Sequence, residues 1–304
     1  MKRGGKTLGD FLKVLWREKG QDLIISVGSP PVIRKPGTLI PIGENFLTPE
    51  QVEELIYSVL NSKQKKIFED GRELNFSFGI RKMGRFIANI FRQRGAPSAV
   101  FRFIPFKIPK WDEIDIPKKI LPLLNEKNGL VVVSGLPGSG TREIMASLIE
   151  YINEHREVFI ITIEEPIEYL HHHKKSIINQ RQIGYDTESF SSAVEYIESQ
   201  GPDVVVFNLV DSKRRLQSVL ELAERCCLCM ILFRIPDAKQ CLNYIIKSFP
   251  VQEQPFVRER LADSLLFILT SRIVETKKKI MLKKEVLINN SRLKTLLKSG
   301  KFKG

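Results

Sequence analysis

A glycine-rich segment near the middle of the chain constrains the fold more than any other feature. Gly135 and Gly140 have the separation found in the phosphate-binding (Walker A) pattern G-x-x-x-x-G-K-[ST], and Gly138 lies between them. Residues 130–134 before the segment form an apolar run typical of a buried parallel strand, and residues 142–155 after it have helical spacing. A strand, a glycine loop and a helix in this order predict a phosphate-binding loop in an α/β domain.

Two side chains of this pattern are replaced. Thr141 occupies the position of the lysine that contacts the phosphates, and Arg142 occupies the position of the hydroxyl that holds magnesium. Two interpretations of the remaining loop stay open. Either Gly138, Ser139 and Gly140 persist because the turn needs glycine conformations, or the loop still binds ATP or ADP weakly, since an arginine can itself contact a phosphate.

The apolar pattern divides the chain into two halves. Short strands and helices alternate up to about residue 107, and one helix is predicted to begin with a capping box from Thr48 to Gln51. Prolines disfavour helix and strand pairing in the next segment, so we predict a linker over residues 108–117. Residues 118–304 then alternate apolar strands with helices, as in a parallel sheet covered on both faces. The strands predicted there are 130–134, 158–163, 203–209 and 228–235.

Positive charge is concentrated at the end of the sequence. The net charge is +13, and residues 271–304 carry eleven Lys and Arg against two Glu, a balance of +9. We interpret this segment as a basic C-terminal tail that suits a solvated surface, an anionic membrane surface, an acidic protein or nucleic acid. Phe302 is the only aromatic residue in it, which disfavours single-stranded nucleic acid. Leu293, Leu296 and Leu297 have helical spacing and predict one apolar face.

Neither a membrane span nor a metal site is predicted. No run of about 18 uncharged apolar residues exists, and the N-terminal residues do not resemble a signal peptide, so we expect a cytoplasmic protein. Residues 171–173 are three consecutive histidines, which point to alternate sides of an extended chain and are expected to form a solvated loop. Cys226, Cys227, Cys229 and Cys241 contain no C-x-x-C pair and are expected to be buried free thiols.

Several further stretches have a specific sequence and spacing. They are DLIISVGSPPVIR at 22–34, LNSKQ at 60–64, FSF at 76–78, RGA at 94–96, VFRFIP at 100–105, TIEEPIE at 162–168, NQRQ at 179–182 and DT at 186–187. Together with the glycine loop, they resemble the type IV pilus retraction ATPases, the PilT/PilU branch of the secretion ATPases. The resemblance extends from about residue 8 to residue 301, nearly the whole chain.

This resemblance implies a PAS-like α+β domain over residues 1–107 and a RecA-like P-loop domain, with a mainly parallel sheet, over residues 118–304. It also implies a hexameric ring at the base of the pilus machine, in which ATP binds between neighbouring subunits and hydrolysis turns a platform protein in the membrane. Glu164 matches a glutamate of the acidic box that helps to activate water. The residues implied to contact the nucleotide are Gly135, Gly138, Ser139, Gly140, Thr141 and Arg142 and, from a neighbouring subunit, Arg85, Arg94 and Arg102.

The departures from the family pattern fall on catalytic positions. Beyond the loop, Asn208 and Leu209 come after the run DVVVF at 203–207, where the family has a Gly-Glu pair, and Phe233 occupies the position of a histidine. Glu195 and Ser199 align with two family arginines. Phosphoryl transfer depends on positioning and charge stabilisation, and the loss of one preorganised donor commonly costs roughly 10²–10³ in rate. We therefore expect hydrolysis to be impaired.

The sequence predicts a catalytically impaired accessory or regulatory motor subunit. Its expected partners are an active paralogue, in a homo- or hetero-hexamer, and the pilus platform protein at the cytoplasmic face of the inner membrane. We expect weak binding of ATP or ADP, no ordinary magnesium site, and peripheral contact with the membrane through the basic tail. Two alternatives stay open: an active retraction motor that uses non-standard residues, and a nucleic-acid-binding protein built on a motor fold, which the tail alone favours.

Overall fold

Two separate β-sheets organise the chain. The computed structural model describes residues 6–208, 210–276 and 279–302. Unit 1 runs to Lys107 and includes the short segment Pro166–Leu170, whereas unit 2 comprises Ile108–Glu165 and the chain from His171 onward. Each unit has its own sheet; unit 1 has one apolar core, and unit 2 has one on each face of its sheet.

Unit 1 combines a six-stranded antiparallel sheet with three helices. The helices are α1 (Leu8–Arg17), α2 (Pro49–Tyr57) and α3 (Ser62–Glu69), and the strands are β1 (Asp22–Ile25), β2 (Val32–Lys35), β3 (Thr38–Pro41), β4 (Leu74–Ile80), β5 (Gly84–Gln93) and β6 (Ala96–Ile104). The strand order is β3-β2-β1-β6-β5-β4, with antiparallel pairing throughout. Apolar side chains from the helices and the sheet form one core. This is the α+β domain that the sequence predicted.

A capping box begins each helix of unit 1. In α2, the hydroxyl of Thr48 accepts a hydrogen bond from the amide of Gln51 at 3.3 Å. The Gln51 side chain accepts one from the Thr48 amide at 2.9 Å, as predicted. The same arrangement caps α1 and α3. Each cap satisfies amides that have no partner within the helix and typically contributes about 1 kcal/mol.

Unit 2 is built on a seven-stranded sheet. Its strands are β7 (Gly129–Ser134), β8 (Phe159–Glu164), β9 (Ile177–Gln182), β10 (Val204–Phe207), β11 (Leu228–Phe233), β12 (Leu265–Thr276) and β13 (Lys279–Ile288). Its helices are a 3₁₀-helix (Lys118–Asn125), α4 (Thr141–His155), α5 (Phe190–Glu195), α6 (Ile197–Gln200), α7 (Lys213–Arg225), α8 (Ala238–Lys247), α9 (Gln254–Ser264) and α10 (Ser291–Lys298). In the order β13-β12-β7-β11-β10-β8-β9, only β13 runs antiparallel to its neighbour. The predicted mainly parallel sheet is confirmed.

Both faces of this sheet are buried, which explains the continuous apolar runs in the sequence. Leu130 and Val132 of β7 enter a core on one face. Val131 and Val133 enter a second core on the other face, together with the apolar side of α4. Successive side chains of a strand point to opposite faces, so a strand covered on both sides is apolar at every position.

The predicted linker packs against unit 2. Ile116 is buried, and Trp111 and Ile114 are partly buried against the core that includes α4. Prolines prevent a helix or a strand in this segment, but they do not prevent its apolar residues from covering a core. Residues 108–117 are therefore part of the surface layer of unit 2.

The prediction of a basic tail from residue 271 is wrong for the described residues. Residues 271–276 continue β12, and β13 pairs with that strand at the edge of the sheet. The helix α10 follows and buries Leu293 and Leu297, which confirms the predicted apolar face. Lysines are common on edge strands because they oppose further strand pairing, and this composition concealed the strand in the sequence.

The helices in the described part of the chain are short. The longest, α4, has 15 residues, whereas a membrane span needs about 20 apolar residues. Among the described residues, no helix combines the length and the apolarity that crossing a membrane requires.

Candidate nucleotide site

The glycine loop follows β7 and closes on itself through hydrogen bonds. Both the amide and the hydroxyl of Ser139 donate to the carbonyl oxygen of Leu136, at 3.1 and 2.6 Å. Gly138 and Gly140 have φ angles of +85° and +76°, in the left-handed region that favours glycine. The loop therefore makes a tight turn from β7 into α4.

Gly135 is required by the close approach of β12. A Cβ atom at this position would lie 2.2 Å from the carbonyl oxygen of Ser271 and 2.5 Å from Oγ of Ser139. The Ser271 hydroxyl donates to the Ser139 carbonyl at 2.6 Å, and both serines are fully buried. Sequence reasoning missed this clamp because the two serines are 132 positions apart.

The N-terminus of α4 has no side-chain cap among the described residues. Gly140 is its N-cap residue, in contrast to the side-chain caps of α1, α2 and α3. The first amides of a helix carry partial positive charge and lack partners within the helix, so they favour a bound anion. The backbone cradle therefore fits a phosphate group.

The first two side chains of α4 do not reproduce the usual phosphate and metal contacts. Thr141 is 8% exposed, and its Cγ2 atom lies 2.9 Å from the Cβ position of Gly135. A short, neutral, buried side chain thus stands where a lysine would reach the phosphates. Arg142 is half-buried and carries a positive charge where a hydroxyl would hold a cation. This donor set does not fit magnesium.

The hairpin of β12 and β13 places apolar side chains beside the loop. Cδ1 of Ile273 lies 3.6 Å from the Cβ position of Gly138, and Cδ1 of Leu282 lies 3.1 Å from that of Gly140. Ile273 and Leu282 are directly opposite each other in the hairpin. One wall of the loop is therefore hydrocarbon, which offers no hydrogen bonds to a phosphate. The sequence did not predict this wall, because Ile273 and Leu282 lie in the segment interpreted as a basic tail.

The segment around the end of β10 carries no carboxylate between Asp203 and Asp211. Asn208 follows this strand, and its Oδ1 accepts a hydrogen bond from the Glu165 amide at 2.9 Å. Leu209, the position compared with the family glutamate, lies outside the described residues. Asp203 precedes β10 and accepts from the Phe159 amide at 2.8 Å. Asp203 therefore lies at the amino-terminal ends of the parallel strands, whereas the loop lies at their carboxyl-terminal ends, so Asp203 is too far away to contact a phosphate in the loop.

Phe233 lies directly beside the loop, at the end of β11. Its carbonyl oxygen accepts from the Gly135 amide at 3.2 Å, and its buried ring packs edge-on against Tyr244 with the ring centres 5.5 Å apart. An aromatic ring at this position supplies neither the charge nor the strong donor of a histidine. Glu195 and Ser199, which align with two family arginines, lie on α5 and α6.

Glu164 is the last residue of β8, so it lies at the carboxyl-terminal ends of the parallel strands, where the loop also begins. Its Oε1 accepts hydrogen bonds from Oγ1 of Thr162 at 2.6 Å and from Nε2 of Gln180 at 3.0 Å. Three strand spacings separate β8 from β7 in the sheet order, so the two strands are roughly 14 Å apart. The carboxylate is oriented by its two donors, which sequence reasoning did not identify.

The three predicted arginines belong to unit 1, whereas the loop and Glu164 belong to unit 2. Arg85 donates to the carbonyl oxygens of Glu168 and Ile167, at 3.1 and 3.2 Å. Arg102 pairs with Asp22 at 2.9 Å. Arg94 is exposed in the turn between β5 and β6.

The prediction of a solvated histidine loop is wrong for His171. Only 2% of its side chain is exposed, and Nδ1 lies 2.9 Å from the Glu150 carboxylate, which Lys174 also contacts at 2.5 Å. Burial alone would raise the pKa of Glu150, but hydrogen bonds and charges from His171 and Lys174 outweigh burial and lower that pKa to about 2. The spacing of the histidines could not show this, because Glu150 lies on α4.

The cysteines are partly as predicted. Cys227, Cys229 and Cys241 are buried, whereas Cys226 is exposed because it follows the last turn of α7. Burial raises the pKa of Cys241 to about 11, so this thiol stays protonated. Among the described residues, no group of three or more His, Cys, Asp or Glu side chains is arranged to hold a metal ion.

The fold and the site define a class of protein. A glycine loop joins an inner strand of a mainly parallel sheet to a helix whose N-terminus has no side-chain cap, and a second strand clamps the loop. This is a RecA-like P-loop domain, and it follows an N-terminal α+β domain. The family model described as type II/IV secretion system protein matches residues 114–218.

Similar proteins define the family more narrowly. The type IV pilus ATPase PilU of Pseudomonas aeruginosa is 33% identical over 295 residues, which cover 95% of this chain and 76% of PilU. The pilus retraction ATPase PilT of the same organism is 31% identical over 289 residues, 94% of this chain and 83% of PilT. A crystal structure of the retraction motor PilT with bound ADP has a TM-score of 0.89 and 34% identity, covering 98% of this chain and 88% of that one. This chain belongs to the PilT/PilU family of type IV pilus ATPases.

Proposed function

We propose that this chain is an accessory subunit of a type IV pilus retraction motor with strongly impaired ATP hydrolysis. The observation that carries the proposal is the start of α4, where buried Thr141 and half-buried Arg142 replace the phosphate-binding lysine and the magnesium-binding hydroxyl. Two further positions lack the catalytic groups of the family. Asn208 only accepts a hydrogen bond from the Glu165 amide through its side-chain oxygen, and Phe233 is an apolar ring. These positions act together in one catalytic step, so the effects of their replacements do not simply add. We expect the combined replacements to reduce ATP turnover strongly.

Weak nucleotide binding is compatible with this impairment. The glycine backbone and the uncapped amides of α4 can hold a phosphate without any side chain. Bound ATP would supply the γ-phosphate whose transfer to water drives motors of this kind. The chain's own Glu164 is positioned by Thr162 and Gln180, but a carboxylate cannot by itself replace the missing charge on the phosphates.

The direct test compares the wild type with a variant carrying Thr141→Lys and Arg142→Ser. We expect wild-type turnover at least about a hundredfold below 1 per second, and no further loss on Glu164→Ala. Calorimetry should show that the double variant binds Mg-ATP at least about tenfold more tightly, since it regains a point charge and a metal ligand. Turnover by the wild type at about 1 per second or faster, abolished by Glu164→Ala, would instead support an active motor with non-standard residues.

We further propose that the chain assembles into a homo- or hetero-hexamer with an active paralogue and acts on the platform protein at the cytoplasmic face of the inner membrane. The similarity to PilU, PilT and the PilT structure covers 94–98% of this chain, so both units are retained. Light scattering after size exclusion should detect assemblies of the chain alone or mixed with an active paralogue. A monomer under both conditions would refute this part of the proposal.

A further inference from the structure

Unit 1 contains a pocket that the proposed motor function does not use. Its volume is about 530 Å³, within the range of roughly 300–1,000 Å³ typical of small-molecule sites. It lies where the last turn of α1, the turn that follows it and the end of β6 meet. The lining residues are Trp16, Arg17, Lys19, Gly20, Phe103 and Pro105.

The walls of the pocket are ring surfaces. Trp16 is 42% exposed, unusually open for so large an apolar side chain. Phe103 is fixed by its neighbour Phe86, with ring centres 5.5 Å apart, and Pro105 follows on the same chain segment. Exposed and fixed aromatic rings favour the stacking of another planar ring.

Two cations, Arg17 and Lys19, border these rings. Glu18 lies between Arg17 and Lys19 in the sequence, but its carboxylate contacts Lys35 at 2.9 Å. In residues 6–208, 210–276 and 279–302, Arg17 and Lys19 take part in no ion pair with a carboxylate. The pocket is therefore apolar in its walls and positive at its rim, which favours an anionic group on the ligand.

The turn that carries Lys19 is rigid. Its amide donates to the Trp16 carbonyl at 3.2 Å, and the Gly20 amide donates to the Leu15 carbonyl at 3.0 Å. A Cβ atom on Gly20 would lie 2.4 Å from a methyl carbon of Ile33, so this glycine is needed for close packing. Lys19 has a φ angle of +51°, where glycine would be less strained. The lysine is thus not required for the turn itself.

We propose that this pocket binds a small planar aromatic anion. The ring would stack on Trp16 and Phe103, and a phosphate, sulfonate or carboxylate group would contact Arg17 and Lys19. Nucleotides and aromatic acids share this chemistry. The site is independent of the glycine loop, because its lining residues are all in unit 1 and the loop is in unit 2.

The two tryptophans of the chain allow a site-specific test. The full-length protein is labelled with 5-fluorotryptophan, and the two fluorine resonances are assigned with Trp16→Phe and Trp111→Phe variants. The labelled wild type is titrated with 8-anilinonaphthalene-1-sulfonate, AMP, adenosine and inorganic phosphate. We expect a saturable shift of the Trp16 resonance, but not of the Trp111 resonance, with the naphthalene sulfonate or AMP. Adenosine lacks the anion and phosphate lacks the ring, so both should bind at least about tenfold more weakly.

Lys19→Gly separates binding from folding. This change removes one cation from the pocket and places glycine at a backbone position with a positive φ angle, so it should not lower the melting temperature. It should nevertheless weaken binding of the aromatic anion about tenfold. Lys13→Ala removes a cation from α1, outside the pocket, and should leave binding unchanged. Three outcomes overturn the proposal: no saturable Trp16 shift with either aromatic anion, equal binding of adenosine, or undiminished binding by Lys19→Gly.

Discussion

Replacing Glu150 by Gln should destabilise unit 2 in a pH-dependent manner. Glu150 lies on α4, and only 17% of its side chain is exposed. It connects this helix to His171 and Lys174, which precede β9, at 2.9 and 2.5 Å. Burial alone would raise the pKa of this carboxyl group. His171 and Lys174 outweigh burial and lower the pKa from 4.5 to about 2.

The magnitude follows from the difference between the folded and the unfolded pKa. A lowered folded pKa means that the stabilisation is fully present above pH 4.5 and is lost as the pH falls towards 2. Ionised Glu150 therefore contributes roughly 3 kcal/mol at neutral pH. The amide of Gln keeps an oxygen that accepts a hydrogen bond from Lys174, so we expect the substitution to cost about 2 kcal/mol.

Melting temperatures of the two proteins from pH 7 to pH 3 test this reasoning. A loss of about 2 kcal/mol corresponds to a melting temperature lower by roughly 4–8 °C at pH 7. Protonation of Glu150 removes about 2 kcal/mol of wild-type stability by pH 3, so the gap should almost close there. Glu154→Gln is the matched control: Glu154 contacts the same Lys174 at 2.6 Å, but its side chain is 37% exposed. Exposed pairs contribute little, so this variant should differ from wild type by less than about 1 kcal/mol. A gap for Glu150→Gln that is equal at pH 7 and pH 3 would refute the argument.

Other expectations concern the clamp and the C-terminal segment. Ser271→Ala should cost about 1–3 kcal/mol of stability, because the buried Ser139 carbonyl loses its donor; an unchanged melting temperature would contradict this role. Leu297→Ala should cost about 2–5 kcal/mol, whereas the half-buried Leu296 should tolerate alanine better; equal losses would show that α10 does not dock as described. If the basic segment contacts anionic lipid, Lys294→Glu should weaken co-sedimentation with anionic liposomes at low salt, by about 1 kcal/mol or more, and salt-insensitive binding by both proteins would refute the contact.

Local sequence patterns determined a large part of this structure. The order of apolar strand, glycines and helix predicted β7, the loop and α4, because these elements follow one another directly along the chain and each has a local sequence signature. The capping box of Thr48 and Gln51 marked the start of α2 for the same reason. Thr141 and Arg142 were visible as departures because the pattern fixes the position of each side chain relative to the glycines.

Contacts between distant residues were decided only by the tertiary structure. The sequence does not show that Ser271 clamps the loop, that Ile273 and Leu282 form its apolar wall, or that His171 is buried against Glu150. These residues lie far apart along the chain and meet because the order of the strands places β12 beside β7 and β9 beside β8. A strand at the edge of a sheet needs no continuous apolar run, since one neighbour and one covered face suffice to hold it. For this reason β13 resembled a basic tail in the sequence and became part of the sheet in the fold.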